Sequence, residues 1–148
     1  SDLFQAIYGR NGECPCVVLA ASSPSDCFEM AYQASKIALE HMIPVFLLSD
    51  GYIANGSEPW KFPDVKDLPK FKINYVKDGE DFLPYERDNN TLARKWAIPG
   101  QKGYEHRIGG LEKADGTGNV NYDPDNHHHM TIKRQEKVNI ISNFIFIL

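Results

Sequence analysis

Two short unbroken apolar runs, Cys16-Val17-Val18-Leu19-Ala20-Ala21 and Val45-Phe46-Leu47-Leu48, flank a single amphipathic stretch, and nothing else in the chain constrains its fold as strongly. A strand with one wet face alternates apolar and polar residues; a continuous run is the pattern of a strand covered on both faces, hence of a parallel sheet with helices on each side. Between the runs, Cys27, Met30, Ala31, Ala34, Ile37, Ala38 and Met42 recur at spacings of three and four, so one stripe of a helix faces the sheet while Glu29, Gln33, Lys36 and Glu40 face away. Strand, helix and strand in this order predict a parallel crossover unit.

The boundaries carry their own chemistry. Ser22-Ser23-Pro24-Ser25-Asp26 reads as a helix start at Pro24: Ser23 can cap free backbone amides, proline suits the first helical position, and Asp26 complements the positive helix end. Pro44 cannot continue the helix, and the second run ends in Ser49-Asp50-Gly51.

From Asn55 to about Asn126 the texture changes. Pro59, Pro63, Pro69, Pro84, Pro99 and Pro124 alternate with glycines such as Gly79, Gly100, Gly103, Gly116 and Gly118, which leaves no room for a long helix. Short strands are compatible with Phe71 to Val76 and with the region around Arg107 to Leu111. A segment of this length with so little periodicity exceeds what a compact domain normally gives to loops and is expected to pack against something else. Helical composition returns from His127 to Leu148, with Asp123-Pro124-Asp125-Asn126 as its start. The run Phe144-Ile145-Phe146-Ile147-Leu148 is too apolar for a solvated chain end, so it is expected to be buried against a partner or not to be the natural terminus. The chain also opens on Ser1-Asp2-Leu3-Phe4, already helical in pattern and without an initiating methionine. Together these features suggest a piece of a longer protein.

Sixteen basic and twenty acidic residues give a formal charge of −4, so no diffuse positive field favours nucleic acid or an anionic membrane. The longest apolar window, Ile140 to Leu148, is about half of a bilayer span. Cys14, Cys16 and Cys27 make neither a disulfide framework nor a four-thiolate cluster site, and a reducing cytoplasm fits them best. Proline between Cys14 and Cys16, a strand starting at Cys16 and the lack of an adjacent base favour inert packing of these thiols. His127-His128-His129 invites a metal reading, but successive helical side chains diverge by roughly 100°, so the three cannot meet one ion. Gly109-Gly110 and Gly116-Thr117-Gly118 match no phosphate-loop or dinucleotide fingerprint, and a turn-rich connector accounts for them better.

Four phrases in order resemble the alpha subunit of 2-oxoacid:ferredoxin oxidoreductases. They are Ser1-Asp2-Leu3 with Tyr8-Gly9-Arg10-Asn11-Gly12-Glu13; Ser23-Pro24-Ser25-Asp26-Cys27-Phe28; Pro44-Val45-Phe46-Leu47-Leu48-Ser49-Asp50-Gly51; and Gly103-Tyr104-Glu105-His106-Arg107-Ile108-Gly109-Gly110-Leu111-Glu112 continuing through Asp115-Gly116-Thr117-Gly118-Asn119. Glu58-Pro59-Trp60 and Trp96-Ala97-Ile98-Pro99-Gly100 resemble the 2-oxoglutarate form more than the pyruvate form. The resemblance implies an α/β fold: residues 1–56 would be the C-terminal part of a pyrimidine-side domain for thiamine diphosphate, and residues 57–148 a long irregular connector with a terminal helix, stopping before the next domain. It implies a parent enzyme that uses thiamine diphosphate and Mg2+, with iron–sulfur clusters in partner subunits, a beta subunit as direct partner and ferredoxin as an indirect one. The family's Tyr-Pro-Ile-Thr-Pro phrase, its activating glutamate and its substrate-carboxylate arginine all precede Ser1, so no catalytic residue and no metal ligand carries over, and no cofactor is expected on this chain alone.

Four residues remain as interface or cofactor-approach candidates. His106 and Arg107, with Glu112 close in sequence, form the densest polar cluster of the connector, for which an exposed charged loop is the plainer account. Asp50 lies just past the carboxyl end of a parallel strand, where open α/β sheets place ligands, and capping the next turn is the plainer role there. Uncovered strand edges and an apolar helix stripe lead to an expectation of self-association. The alternative to the oxidoreductase reading is a non-catalytic α/β binding or subunit-assembly module whose connector wraps a partner.

Overall fold

The computed structural model describes residues 1–145 and divides the chain into two compact units, Ser1–Lys72 and a second beginning at Ile73.

The first unit holds α1 (Asp2–Tyr8), β1 (Val17–Ala20), α2 (Asp26–His41), β2 (Val45–Leu48) and α3 (Gly51–Asn55). β1 and β2 pair in parallel, with Val17 opposite Val45 and Ala20 opposite Leu48, as the two apolar runs predict. Both α1 and α2 pack on the strands. Coverage is less complete than continuous apolarity implies. Val17 is buried, but Phe46 and Leu47 each remain 40% exposed, because the helices of this unit do not cover the whole of a two-stranded sheet.

α2 starts two residues later than Pro24. Ser23, Pro24 and Ser25 make a turn first, and the cap is built in reverse as well as forward: Ser23 Oγ accepts from the Asp26 amide at 3.3 Å, while Asp26 Oδ2 accepts from the Ser22 amide at 2.8 Å and the Ser22 hydroxyl at 2.9 Å. The helix stops at Met42, which takes a left-handed conformation (φ 48°) and donates its amide to the Ala38 carbonyl, so Pro44 falls just beyond the end. Residues 57–72 then lie along the face of α2 that the periodicity turns away from the sheet. Trp60 meets Phe28 at 5.4 Å and Phe71 meets Tyr32 at 5.0 Å between ring centroids. Tyr32 Oη donates to the Pro69 carbonyl at 2.6 Å, and Glu40 accepts from the Lys72 amide at 2.7 Å. Phe28, Tyr32 and Glu40 are spaced by four and eight, one helical stripe.

The second unit has little regular backbone pairing. Isolated bridges join Tyr75 to Trp96, Tyr85 to Gly116, Arg87 to Arg94 and Lys113 to Val120. The strand-compatible stretch Phe71 to Val76 is reduced to one such bridge, and Arg107 to Leu111 forms no strand: Gly109 and Gly110 interrupt it, and the bridge comes later, at Lys113. The expected helix forms as α4 (Pro124–Ser142), capped by Asp123 Oδ1, which accepts from the Asp125 and Asn126 amides at 2.8 and 3.1 Å. Met130, Lys137 and Ile141 make its buried face. It ends at Ser142 rather than continuing to Leu148; Phe144 beyond it is 61% exposed, and Phe146 to Leu148 lie outside the described residues.

Candidate functional site

Two polar constellations stand out, one in each unit. In the first, the carboxyl ends of β1 and β2 open onto Ser22-Ser23 and Ser49-Asp50, the edge at which parallel sheets present ligands. The polar groups there are already engaged. Glu58 accepts from the Ser23 hydroxyl at 2.9 Å and from the Ser25 amide at the start of α2. Its carboxyl is held below the usual range, first by the Ser25 side chain, then by the Ser25 amide and the Ser23 hydroxyl. Asp50 caps α3, its Oδ1 accepting from the Ile53 amide at 2.8 Å.

In the second unit, the segment Glu112–Asp115 is clamped to α4 by two carboxylates, each shared between an arginine and a histidine. Glu112 accepts from Arg134 at 3.1 and 3.2 Å and lies 2.8 Å from His127 Nδ1. Asp115 accepts from Arg87 at 2.8 Å and lies 2.9 Å from His129 Nε2. Burial acts to raise both carboxyls, yet each ends below its usual range because the bonds to Arg134 and His127, and to His129 and Arg87, outweigh it. Lys113, 2% exposed, donates from Nζ to the Gly109 and Leu111 carbonyls, and Asn126 Nδ2 donates to the Lys113 carbonyl at 2.9 Å. Lys137 is 8% exposed, and its ammonium is pushed down to about 7 by burial, then by Arg94 and Arg87.

The four residues singled out from sequence are not gathered into one place. Asp50 belongs to the first unit and the other three to the second. His106 is exposed, its Nδ1 2.8 Å from the Tyr104 carbonyl and its ring edge-on to Phe82 at 5.4 Å. Arg107 is exposed, and Glu112 faces α4 rather than either of them. Sequence reasoning passed over Glu58, Arg87, Asp115 and Lys137. Glu58 and Asp115 stand within the resembling phrases, and Lys137 left a local signal, since it stands seven residues from Met130 and four from Ile141 on an apolar stripe. One premise about the thiols also fails: Arg10 folds back onto Cys16 Sγ at 3.2 Å, so a cation does adjoin them. Among the described residues, no group of three or more His, Cys, Asp or Glu side chains is placed to hold a metal ion, and no helix is long and apolar enough to cross a membrane.

A parallel strand–helix–strand unit whose sheet edge is lined by serines and acids, followed by a long connector pinned by charge, defines a part of an α/β ligand-binding domain. The comparisons make that more particular. The chain belongs to the family described as pyruvate flavodoxin/ferredoxin oxidoreductase, thiamine diphosphate-binding, whose pattern matches residues 1–123. It is 59% identical over 138 residues to the 2-oxoglutarate oxidoreductase subunit KorA of Mycobacterium tuberculosis, a match covering 93% of this chain and 21% of that protein. It is 26% identical to the 2-oxoglutarate synthase subunit KorA of Methanothermobacter thermautotrophicus, over 93% of this chain and 36% of that one. Its fold matches the solved 2-oxoglutarate:ferredoxin oxidoreductase from Magnetococcus marinus, with 2-oxoglutarate, coenzyme A and succinyl-CoA bound, at a TM-score of 0.88 and 32% identity, over 98% of this chain and 25% of that one. The chain thus spans between about a fifth and a third of the length of these relatives.

The described residues do not by themselves fit thiamine diphosphate and its metal ion. A helix start offers an anion free backbone donors, and the Ser25 amide at the start of α2 is already given to Glu58. In the second unit, Glu112 and Asp115 are likewise taken up by arginine and histidine.

Proposed function

We propose that this chain is part of the alpha subunit of a 2-oxoglutarate:ferredoxin oxidoreductase, which oxidatively decarboxylates 2-oxoglutarate to succinyl-CoA with coenzyme A and reduces ferredoxin. The observation that supports it most is the agreement of fold over 98% of the chain with the Magnetococcus marinus enzyme, alongside 59% identity to the mycobacterial subunit. In that reading thiamine diphosphate and Mg2+ are held by the parent enzyme, iron–sulfur clusters by partner subunits, and the difficult carbanion chemistry belongs to the cofactor. Residues 1–56 close the pyrimidine-side domain and residues 57–148 serve as connector, in the cytoplasm. This segment contributes wall and interface, with the beta subunit as its partner. Asp50, at the sheet edge, and His106, Arg107 and Glu112, on the connector, are the residues assigned to that interface or to the approach to the cofactor. Isolated, the chain catalyses nothing and self-associates through its exposed sheet.

The test is calorimetric titration of the chain with thiamine diphosphate and Mg2+, first alone and then mixed with a beta subunit from the same source. No heat alone and binding in the mixture is the expected result. Binding by the isolated chain would contradict the account of Glu58 as occupant of the α2 start, and silence in both would remove the support for an interface role.

A further inference from the structure

Arg10 folds back over the turn after α1 onto the Cys14-Pro15-Cys16 segment. Nη2 donates to Cys16 Sγ at 3.2 Å and to the Cys14 carbonyl at 2.8 Å, Nη1 donates to the Ala6 carbonyl, and the guanidinium carbon lies 5.2 Å from the centre of the Phe46 ring. One cation thus holds the Cys16 thiol and the Cys14 backbone, with Cys14 exposed and Cys16 half-buried. Reactive cysteines occur in such partly exposed, electropositive surroundings, whereas inert ones sit in apolar packing. Cys27, in the first turn of α2, donates its thiol to the Ser23 carbonyl at 3.6 Å much as Cys16 donates to the Ala6 carbonyl at 3.5 Å, but of the two it is Cys16 that also accepts from Arg10.

We propose that Cys14 and Cys16 form a redox-active dithiol that is oxidised by low-molecular-weight disulfides, with Arg10 as its positioning residue. The exposed Cys14 thiolate attacks one sulfur of the small disulfide; a Cys14–sulfur bond forms, the small molecule's S–S bond breaks, and the thiolate released takes up the proton that Cys14 lost. Cys16 then attacks the Cys14 sulfur, closing a Cys14–Cys16 bond and expelling the second small thiolate, which takes up the Cys16 proton. The two protein thiols give up two electrons, and the small disulfide leaves as two thiols. Arg10 keeps the Cys16 sulfur beside a cation and ties the Cys14 backbone to it until the bond closes. Closure withdraws Cys16 Sγ as an acceptor for Arg10, whose other bonds join α1 to this turn, so the oxidised form loses one tie between α1 and the sheet. This dithiol does not depend on the oxidoreductase assignment and stands if that assignment fails.

The test exposes the full 148-residue chain to excess oxidised glutathione and follows it by intact mass and peptide mapping. The expected product is two hydrogens lighter, with the new bond mapped to Cys14 and Cys16 and Cys27 modified at least about tenfold more slowly. Cys16→Ser should stop at a glutathione adduct on Cys14. Arg10→Gln should slow closure about tenfold and Arg10→Lys should restore most of the rate. Closure in folded Arg10→Gln at the unaltered rate would overturn the role of Arg10. Where that variant fails to fold, the unaltered chain decides: an internal bond supports the dithiol, and adducts accumulating on Cys14 and Cys16 without one overturn it.

Discussion

The two units are held in different ways. Ser1–Lys72 is organised by repetition: apolar residues at strand and helix spacing, one parallel ladder, and caps at both ends of α2. From Ile73 onward order comes from particular side chains, with isolated bridges in place of ladders and Glu112, Lys113, Asp115 and Asn126 pinning the connector against α4. A fold built on repetition spreads its stability over many weak contacts, whereas one built on pins concentrates it in a few groups. The second unit should therefore be the more sensitive to single changes and to pH.

Lys137 gives the largest expected effect. Its folded value of about 7 lies below the ordinary 10.5, so below pH 7 the folded state carries a charged amine that burial, Arg94 and Arg87 disfavour. Between about 7 and 10.5 the unfolded chain binds the extra proton, and the stability of the second unit rises with pH. The whole span is worth at most roughly 5 kcal/mol. Lys137→Met should raise stability at neutral pH and flatten the rise, read by denaturant unfolding at pH 7 and 9.5; an unchanged slope would mean that the amine is solvated. The carboxylates add a second rise of the same sign at lower pH. Glu112 and Asp115 are held below their unfolded values, so their stabilisation is present above about pH 4.5 and is lost as acid carries the pH down through the folded values.

Packing comes next. Met130 and Ile141 are each 1% exposed and lie on one face of α4. Either one changed to alanine should cost about 2–5 kcal/mol. Ile37→Ala in α2, at 7% exposure beside a sheet that is itself partly open, should cost toward the lower end of that range. Hydrogen exchange resolved by residue would separate the units. Equal loss of protection in α2 and α4 would erase the distinction drawn between them.

What was legible in the sequence follows the same division. Periodicity exposed β1, α2 and β2 because each presents its apolar residues at a fixed interval, and Asp123-Pro124 announced α4 because capping is local chemistry. The fit of Glu112 to Arg134 and of Asp115 to Arg87 joins residues 22 and 28 positions apart, and no local pattern encodes such a pairing. The start of α2 was misjudged by two residues for a related reason: the Ser25 amide is satisfied by Glu58, 33 positions away, which allows Ser23 to Ser25 to remain a turn. His106 and Arg107 stood out as a dense polar cluster, but local density does not say which charges are turned inward. Lys113, ordinary in sequence, is buried.

Gly118 makes a smaller and sharper test of the pinned unit. It holds φ at +71°, and an added Cβ would stand 2.6 Å from Tyr85 Cδ2. Gly118→Ala should cost about 1–3 kcal/mol through strained backbone and a displaced ring. Tyr85 also carries the bridge to Gly116 and stacks under Arg94 at 4.3 Å, so loss of the Tyr85 amide's exchange protection should accompany the destabilisation.

The smallest expected effect bears on where the two modes of construction meet within the first unit. Glu58 lies outside the repetitive part yet caps it, accepting from the Ser23 hydroxyl and the Ser25 amide. Glu58→Gln keeps an acceptor oxygen but loses the charge that favours a helix start, so melting should fall by less than in any variant above. The difference from the unaltered chain should shrink as pH is lowered, because Glu58 is held below its ordinary value and its contribution disappears only when acid protonates it. A pH-independent difference would show that Glu58 acts through shape alone, leaving the α2 start electrostatically open to an anion supplied from outside the chain.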